Sequence, residues 1–287
     1  MMRRKDCVKA ALSQEGRARI VMSDRVELLQ KIEEALPAVI GLLLEERDDV
    51  VAIPEAPQAQ WDLFRALVNT RPPIPASEEL IVSQDRLLQG ILEYRGTTTL
   101  DDIEPVEGRG SIRLWRGDIT TLGVDAIVNA ANSQMLGCFV PGHHCIDNAI
   151  HTFAGIQLRL ECARLMEEQG YPEPTGMAKV TSAFNLPSRR IIHTVGPIAR
   201  GKASDLDRAL LANCYTACLD AALEAGCESI ALCCISTGVF GFPQDEAAHI
   251  AVATVDEWLD GHDNALDVVF NVYGETDERL YKALLGC

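Results

Sequence analysis

Residues 229–241, SIALCCISTGVFG, give the clearest indication of the fold. The run from Ile230 to Ile235 is apolar at every position, as strands are when a sheet is covered on both faces. A loop with Gly238 and Gly241 follows, and a helical pattern begins near Gln244. A buried strand that leads through such a loop into a helix predicts an α/β sheet with helices on both faces.

The same alternation of short β-rich runs with helical runs extends from about residue 111 to the end of the chain. It favours a sheet whose strands are connected by helices. The expected strands are Ile112–Arg116, Ala126–Asn129, Ala178–Ala183, Ile191–Val195, Ser229–Ile235 and Val268–Tyr273. The expected helices are Asp147–Gln169, Leu206–Ala225, Gln244–Leu259 and Asp277–Leu285.

The first 95 residues show a different pattern, with apolar residues at helical spacing. A helix is expected over about residues 24–36, because its apolar residues share one face. Pro37 predicts the start of a second helix that reaches about Glu46, since proline is favoured in the first turn of a helix. Two further helices fit Gln58–Asn69 and Ser77–Glu93. We therefore expect an all-helical N-terminal extension at residues 1–95.

The charge and composition of the chain exclude several classes of protein. The net charge of the 287 residues is −16, and such an acidic surface repels nucleic-acid phosphates, so we expect no nucleic-acid partner. No stretch approaches about 18 uninterrupted apolar residues, so we expect no membrane-spanning helix. Residues 1–20 lack a secretory signal and fit a flexible N-terminus better than a transit peptide. With ten cysteines, too few for a disulfide-dense fold, we expect a cytoplasmic or other reducing intracellular compartment.

Three polar clusters directly follow expected strands, at residues 117–120, 130–132 and 236–241. Open α/β sheets bind ligands at the carboxyl ends of their strands, so these clusters form one candidate site. In the third cluster, Gly238 and Gly241 would let backbone N–H groups approach a phosphate without any basic side chain. A plain turn between a strand and a helix explains that loop equally well, because it matches neither common phosphate-binding glycine motif.

Residues 138–145, CFVPGHHC, contain two thiols and two imidazoles on a loop with a Pro-Gly pair. Cysteine and histidine are zinc ligands, and a catalytic zinc keeps three protein ligands and one open position. His143 and Cys145 alternate along the chain, which suits two ligands on one side of an extended segment. His144 would point away, although it could replace His143. Ordinary buried cysteines on a loop remain the alternative explanation.

Four segments in this order resemble the macrodomain family, which binds ADP-ribose. They are RGDIT at residues 116–120, VDAIVNAAN at 124–132, IIHTVGP at 191–197 and STGVFG at 236–241. Residues 137–145 stand where the family usually has a glycine-rich run, and they resemble the zinc-containing branch that removes ADP-ribose from proteins. FRALVNTRPP at residues 64–73 also resembles the helical extension of that branch. The resemblance implies a three-layer α/β/α macrodomain with a mixed six-stranded sheet at residues 111–287.

The resemblance also implies which residues bind ADP-ribose. Asp118 would accept a hydrogen bond from the adenine amine, with the Ile119 backbone beside it, and Asn132 would bind the distal ribose. The pyrophosphate and a ribose would lie against the loop formed by Ser236, Thr237, Gly238, Val239 and Phe240.

The remaining implied roles concern the metal and the reaction. One zinc ion per chain would lie beside the distal ribose, held by Cys138, His143 and Cys145. Cys145, Ile146 and Asp147 would also line the substrate site, and Asp147 and Asn132 would act in catalysis. An anionic Asp can orient a water or a ribose hydroxyl, but the helix dipole alone also favours a carboxylate at a helix N-terminus.

These features predict a zinc-dependent hydrolase that cleaves the bond between the distal ribose C1″ and a modified side chain of a mono-ADP-ribosylated protein. Three alternatives stay open: an ADP-ribose-binding reader without turnover, a deacetylase of O-acetyl-ADP-ribose, and a thiol hydrolase that uses Cys145 with a histidine. Turnover of a modified protein distinguishes an enzyme from a reader, and metal content distinguishes a zinc enzyme from a thiol hydrolase.

Overall fold

The computed structural model describes residues 22–47 and 51–287. The expected flexible stretch at residues 1–20 lies outside the described residues, and so does that part of the helical extension. None of the helices within the described ranges combines the length and apolar character needed to cross a membrane.

Three helices form the N-terminal part of the described chain: α1 (Met22–Glu45), α2 (Pro57–Thr70) and α3 (Glu78–Arg95). Helix α1 is continuous, so the predicted start of a new helix at Pro37 is wrong. Proline removes one interior hydrogen bond, but an apolar stripe at helical spacing continues across it and is buried against α2 and α3. This stripe consists of Ile32, Leu36, Val39, Ile40 and Leu43.

The rest of the chain is built around nine strands in two sheets. They are β1 (Thr98–Thr99), β2 (Pro105–Val106), β3 (Arg109–Arg116), β4 (Leu122–Gly123), β5 (Ala126–Ala130), β6 (Ala178–Ser182), β7 (Arg190–Thr194), β8 (Ser229–Leu232) and β9 (Asp267–Val272). In the described residues, β1 and β4 form a separate parallel pair, and the other seven strands form the main sheet in the order β2-β3-β9-β8-β5-β7-β6.

The main sheet is mixed, as expected. Strands β3, β9, β8, β5 and β7 are parallel, whereas the edge strands β2 and β6 are antiparallel to their neighbours. All six predicted strands are present, and the count of six is one too low because β2 was not predicted. A two-residue strand has no recognisable periodicity, and its Pro105 is tolerated because β2 lies at the edge.

Five helices flank this sheet: α4 (Ile146–Ala154), α5 (Ile156–Gln169), α6 (Asp205–Glu224), α7 (Gln244–Gly261) and α8 (Glu275–Leu285). Together they give the expected three-layer α/β/α arrangement. The prediction of one continuous helix from Asp147 to Gln169 is wrong, because Gly155 separates α4 from α5 with a φ of +100°. With a ψ of 171° this backbone conformation is almost restricted to glycine, and an added Cβ would also lie 2.6 Å from Gln84 Nε2.

The N-terminal helices pack directly on the α/β part. Trp61 of α2 stacks on Phe153 of α4 with ring centroids 5.8 Å apart. Ile156 of α5 is buried in the same core as the three N-terminal helices, and its N–H donates to Gln84 Oε1 at 3.1 Å. These contacts place α2 beside α4, whose N-terminus lies at the candidate site.

Candidate active site

The three polar clusters lie at the same edge of the main sheet. Residues 117–121, 131–145 and 233–243 connect the carboxyl ends of the parallel strands β3, β5 and β8 to the next elements. Parallel strands end at one edge, and ligands of open α/β folds bind there. The fold therefore places these connections around a common cleft.

Asp118 lies just after β3 and caps a short 3-10 helix that begins at the buried Ile119. Its carboxylate accepts hydrogen bonds from Thr120 N–H at 3.0 Å and from Thr120 Oγ1 at 2.7 Å. It also forms an ion pair with Arg95, the buried last residue of α3. Arg95 therefore holds Asp118 in place, a contact between distant segments that no sequence pattern indicated.

Cys138, His143 and Cys145 come together at the N-terminus of α4. Their potential ligand atoms all lie within 4.8 Å of one another, and Cys138 Sγ is 3.4 Å from His143 Nδ1. Sulfur and nitrogen ligands of a tetrahedral zinc ion lie about 3.5–3.8 Å apart, given zinc–ligand bonds of about 2.0–2.3 Å. The donor set and its spacing therefore fit zinc. His144 is exposed and lies outside this cluster.

Asp147 is buried two residues after Cys145, and Ile146 between them is the first residue of α4. Asn129 Nδ2 donates to Asp147 Oδ1 at 2.8 Å, and Asn132 Nδ2 lies 3.5 Å from Asp147 Oδ2. Burial raises the pKa of Asp147 to about 6, against the opposing effects of these amides and of the Arg159 charge. The two residues predicted to act in catalysis, Asn132 and Asp147, thus lie in contact beside the cluster of Cys138, His143 and Cys145.

A chain of buried hydrogen bonds continues behind Asp147. Asn129 Nδ2 is 3.0 Å from His193 Nδ1, and His193 Nε2 is 2.9 Å from Thr181 Oγ1. Because an amide nitrogen can only donate, His193 Nδ1 accepts and Nε2 carries the proton. Burial lowers the pKa of His193 to about 3, so its ring is neutral. This network orients Asn129 toward Asp147, a role for Asn129 that sequence reasoning missed.

His151 lies one turn after Asp147 on α4, with its Nε2 3.6 Å from Asp147 Oδ1. Burial lowers the pKa of His151 well below its ordinary value, so this ring is neutral as well. Within residues 22–47 and 51–287, neither of its nitrogens has a hydrogen-bond partner. Gly137 packs against the ring, where a Cβ would lie 2.8 Å from it, so the segment before Cys138 requires a glycine.

The loop after β8 consists of Ser236, Thr237, Gly238, Val239 and Phe240. Thr237 N–H donates to Cys234 O at 3.5 Å, and Gly241 N–H donates to Gly238 O at 3.0 Å. In the described part of the chain, the N–H groups of residues 238–240 have no protein acceptor. They precede the first residue of α7, Gln244, by four to six positions. Such N–H groups can bind a phosphate without a basic side chain.

The two thiols and the Asp147 carboxyl form a site that favours a bound cation. Burial raises the pKa of the Cys145 thiol to about 12, and the neighbouring Cys138 and Asp147 add to this increase. A thiol with such a pKa is a weak nucleophile at neutral pH. A divalent metal ion reverses this effect, because it stabilises the thiolates that bind it.

Sequence reasoning also missed two residues of α2 that contact residues 138–145. This segment carries the three candidate metal ligands and is called the metal loop. Arg65 donates to His143 O at 3.0 Å, and Asn69 Oδ1 accepts from Gly142 N–H at 3.2 Å. Their spacing of four residues indicated a shared helix face. It did not indicate which part of the molecule that face contacts.

Comparisons with known proteins agree with this fold. The family model of the Macro domain matches residues 128–251. A relative from Treponema medium, named protein-ADP-ribose hydrolase, is 55% identical over 252 residues, covering 86% of this chain and 97% of that protein. This chain therefore belongs to the macrodomain family.

Two solved structures extend the comparison to bound ligands. A Trypanosoma brucei macrodomain in complex with ADP-ribose is 27% identical with a TM-score of 0.58, and the match covers 96% of this chain and 98% of that one. An Oceanobacillus iheyensis macrodomain with ADP is 40% identical with a TM-score of 0.55, covering 61% of this chain and 90% of that one. The first match thus extends over nearly all of this chain, and the second over part of it.

Proposed function

We propose that this chain is a zinc-dependent hydrolase that removes ADP-ribose from modified side chains of mono-ADP-ribosylated proteins. The main support is the cluster of Cys138, His143 and Cys145 beside the buried Asp147, in the cleft where a macrodomain sheet binds its ligand. The relative named protein-ADP-ribose hydrolase, which matches 86% of the chain, supports the type of reaction.

We further propose two units, a helical extension at residues 1–95 and a macrodomain at residues 111–287. The change from helices to alternating strands and helices after Arg95 supports this division. The Oceanobacillus macrodomain, which covers 61% of the chain, is consistent with a macrodomain of that size.

ADP-ribose would lie across the carboxyl edge of the sheet. Asp118, fixed by Arg95 and Thr120, would accept from the adenine amine, with the backbone of Ile119 beside it. The N–H groups of the loop from Ser236 to Phe240 would bind the pyrophosphate, and the Phe240 ring would pack on a ribose. This placement brings the distal ribose to Asn132.

The metal site would lie beside that distal ribose. Cys138, His143 and Cys145 would hold one zinc ion, which can polarise a substrate oxygen, lower the pKa of a bound water or orient the substrate. Asn132 would bind the ribose, and its contact with Asp147 would keep both side chains in one arrangement. Asp147 would orient a water or a ribose hydroxyl for cleavage at C1″.

Three alternatives make different use of the same cleft. A reader would need the binding contacts but not a three-donor cluster next to a buried carboxylate. A thiol hydrolase would need an ionised Cys145, which the raised pKa of this thiol opposes. A deacetylase of O-acetyl-ADP-ribose would use the same binding contacts and differ in the bond that is cleaved.

The proposal is tested by incubating a mono-ADP-ribosylated protein with the wild type and with Asp147→Asn. We expect the wild type to release ADP-ribose, and the variant to release it far more slowly while calorimetry still shows ADP-ribose binding. A wild type that binds ADP-ribose but releases none from the protein would support a reader. Release of acetate from O-acetyl-ADP-ribose alone would support a deacetylase.

A further inference from the structure

The loop that holds the three metal donors has no regular secondary structure between Cys138 and Cys145. Its backbone contributes a hydrogen bond from His143 N–H to Val140 O at 3.2 Å. Three donors on such a loop converge only if other parts of the molecule fix the loop. Asn148 of α4 and Arg159 of α5, whose guanidinium lies 4.3 Å from the centroid of the Phe139 ring, contact this loop from one side. Further contacts come from one face of α2.

The first contact is made by Arg65, which is half-buried. Its Nη2 donates to His143 O at 3.0 Å and to Asn148 Oδ1 at 2.8 Å. Asn148 in turn donates its N–H to Cys145 Sγ at 3.4 Å and its Nδ2 to Val140 O at 3.2 Å. One guanidinium is therefore connected to the backbone of one donor residue and, through Asn148, to the sulfur of another.

The second contact is made by Asn69, which is buried one helical turn after Arg65. Its Oδ1 accepts from Gly142 N–H at 3.2 Å, and its Nδ2 donates to Thr152 Oγ1 at 3.0 Å. Thr152 Oγ1 donates to Asn148 O at 2.7 Å. Asn69 therefore fixes the middle of the loop to the same helix, α4, that presents Cys145 and Asp147.

We propose that Arg65 and Asn69 are positioning residues of the metal centre, through which the N-terminal helices hold residues 138–145 in the arrangement that binds one ion. This inference rests on the proposed zinc site and gives the helical part of the chain a role in metal binding. A loop without these contacts would have to be ordered when the ion binds, and that ordering weakens affinity. Loss of groups that orient metal ligands typically lowers metal affinity about 10- to 100-fold.

The test measures the zinc dissociation constant of the full-length protein, stripped of metal and titrated with zinc in competition with a chromophoric chelator. Arg65→Met and Asn69→Leu should each bind zinc about 10- to 100-fold more weakly than the wild type. Gln58→Ala is the matched control, because Gln58 lies on the same helix and donates to Asp62 at 2.9 Å on its exposed side. It should bind zinc like the wild type.

Two further measurements separate positioning from folding. The melting temperature of metal-free Arg65→Met should stay close to that of the metal-free wild type, and Arg65→Lys, which keeps a charged donor, should recover part of the zinc affinity. If the buried Asn69→Leu does not fold, Arg65→Met decides the outcome. The inference would be overturned if Arg65→Met bound zinc as tightly as the wild type. It would also be overturned if the metal-free variant were destabilised enough to account for its loss of zinc affinity. A wild type that binds no zinc would instead overturn the proposed zinc function.

Discussion

Asn129 lies between a carboxylate and an imidazole, with its amide nitrogen 2.8 Å from Asp147 Oδ1 and 3.0 Å from His193 Nδ1. Asn129 and His193 are directly paired residues of the parallel strands β5 and β7. A shift of one residue in this pairing would turn one of the two side chains to the opposite face of the sheet. The hydrogen-bond network behind Asp147 therefore depends on the register of two strands at the centre of the fold.

Replacing His193 tests whether this network supports Asp147. His193→Leu would remove the buried partner of the Thr181 hydroxyl and one of the two partners of the Asn129 amide nitrogen, which would keep Asp147, and the free energy of unfolding should fall by about 1–3 kcal/mol. His193→Gln can present an oxygen to Asn129 and an N–H to Thr181, so it should recover stability and the rate of ADP-ribose release. Urea unfolding and turnover of both variants check this, and a Gln variant as damaged as the Leu variant would contradict it.

The buried histidines also predict how stability depends on pH. The pKa of His193 is lowered to about 3 and that of His151 well below its ordinary value, whereas unfolded histidine has a pKa of about 6.5. Between these values the unfolded chain binds protons that the folded chain does not. The free energy of unfolding should therefore fall as the pH falls below about 6.5, by up to about 1.4 kcal/mol per pH unit for each histidine.

The measurement is urea unfolding of the wild type and His193→Gln at pH 7 and at pH 5. The variant lacks one of the two neutral buried imidazoles, so its stability should fall less over this range. The carboxylates titrate in both proteins, so their contribution cancels in the comparison. An equal fall in both proteins would show that His193 is not buried in the neutral form.

Among the secondary-structure elements, the two mistaken helix predictions involve the residues Pro37 and Gly155. The local conformational preferences of proline and glycine can be predicted from the sequence. Whether a helix continues through each position depends on the packing around it. The buried stripe on both sides of Pro37 keeps α1 in one piece. At Gly155 the backbone takes φ +100° and ψ 171° with Gln84 of α3 packed against it, and the helix ends there although the apolar pattern continues through it.

Gly155→Ala should destabilise the protein more than Gly170→Ala, which provides a matched control. Both glycines have positive φ, +100° and +77°, so alanine is strained at either position, and more so at Gly155, whose ψ of 171° lies in a region almost restricted to glycine, than at Gly170 in the left-handed helical region. Only at Gly155 would the added Cβ also meet Gln84 and Gln157, whereas nothing lies within 4 Å at Gly170. Thermal unfolding should show a loss of about 1–2 kcal/mol for Gly170→Ala and a clearly larger loss for Gly155→Ala. Equal losses would show that neither the backbone conformation at Gly155 nor its contacts with Gln84 and Gln157 constrain the junction.

For the molecule as a whole, the sequence predicted the α/β architecture because period and composition determine it locally. The sequence also predicted that Cys138, His143 and Cys145 bind one metal ion together, because they lie within eight positions. The contacts of Arg65, Asn69 and Arg95 could not be predicted in the same way. They join segments 23 to 83 positions apart, and only the docking of the N-terminal helices brings them together.

These contacts reach both ends of the cleft. Arg95, at the end of α3, fixes Asp118 at the expected adenine end, and Arg65 and Asn69 of α2 fix the metal loop at the other. The core shared by Ile156 and the N-terminal helices fixes the relative position of these contacts. The helical part is therefore integral to the candidate site.

The most direct test of the account measures zinc content and ADP-ribose release on the same preparations of the wild type and Cys145→Ser. The wild type should contain one zinc ion per chain and release ADP-ribose from a mono-ADP-ribosylated protein. Cys145→Ser keeps two strong ligands, so it should lose both the metal and the reaction while still binding ADP-ribose through Asp118 and the loop at 236–240. A metal-free wild type that releases ADP-ribose at the full rate would contradict the account.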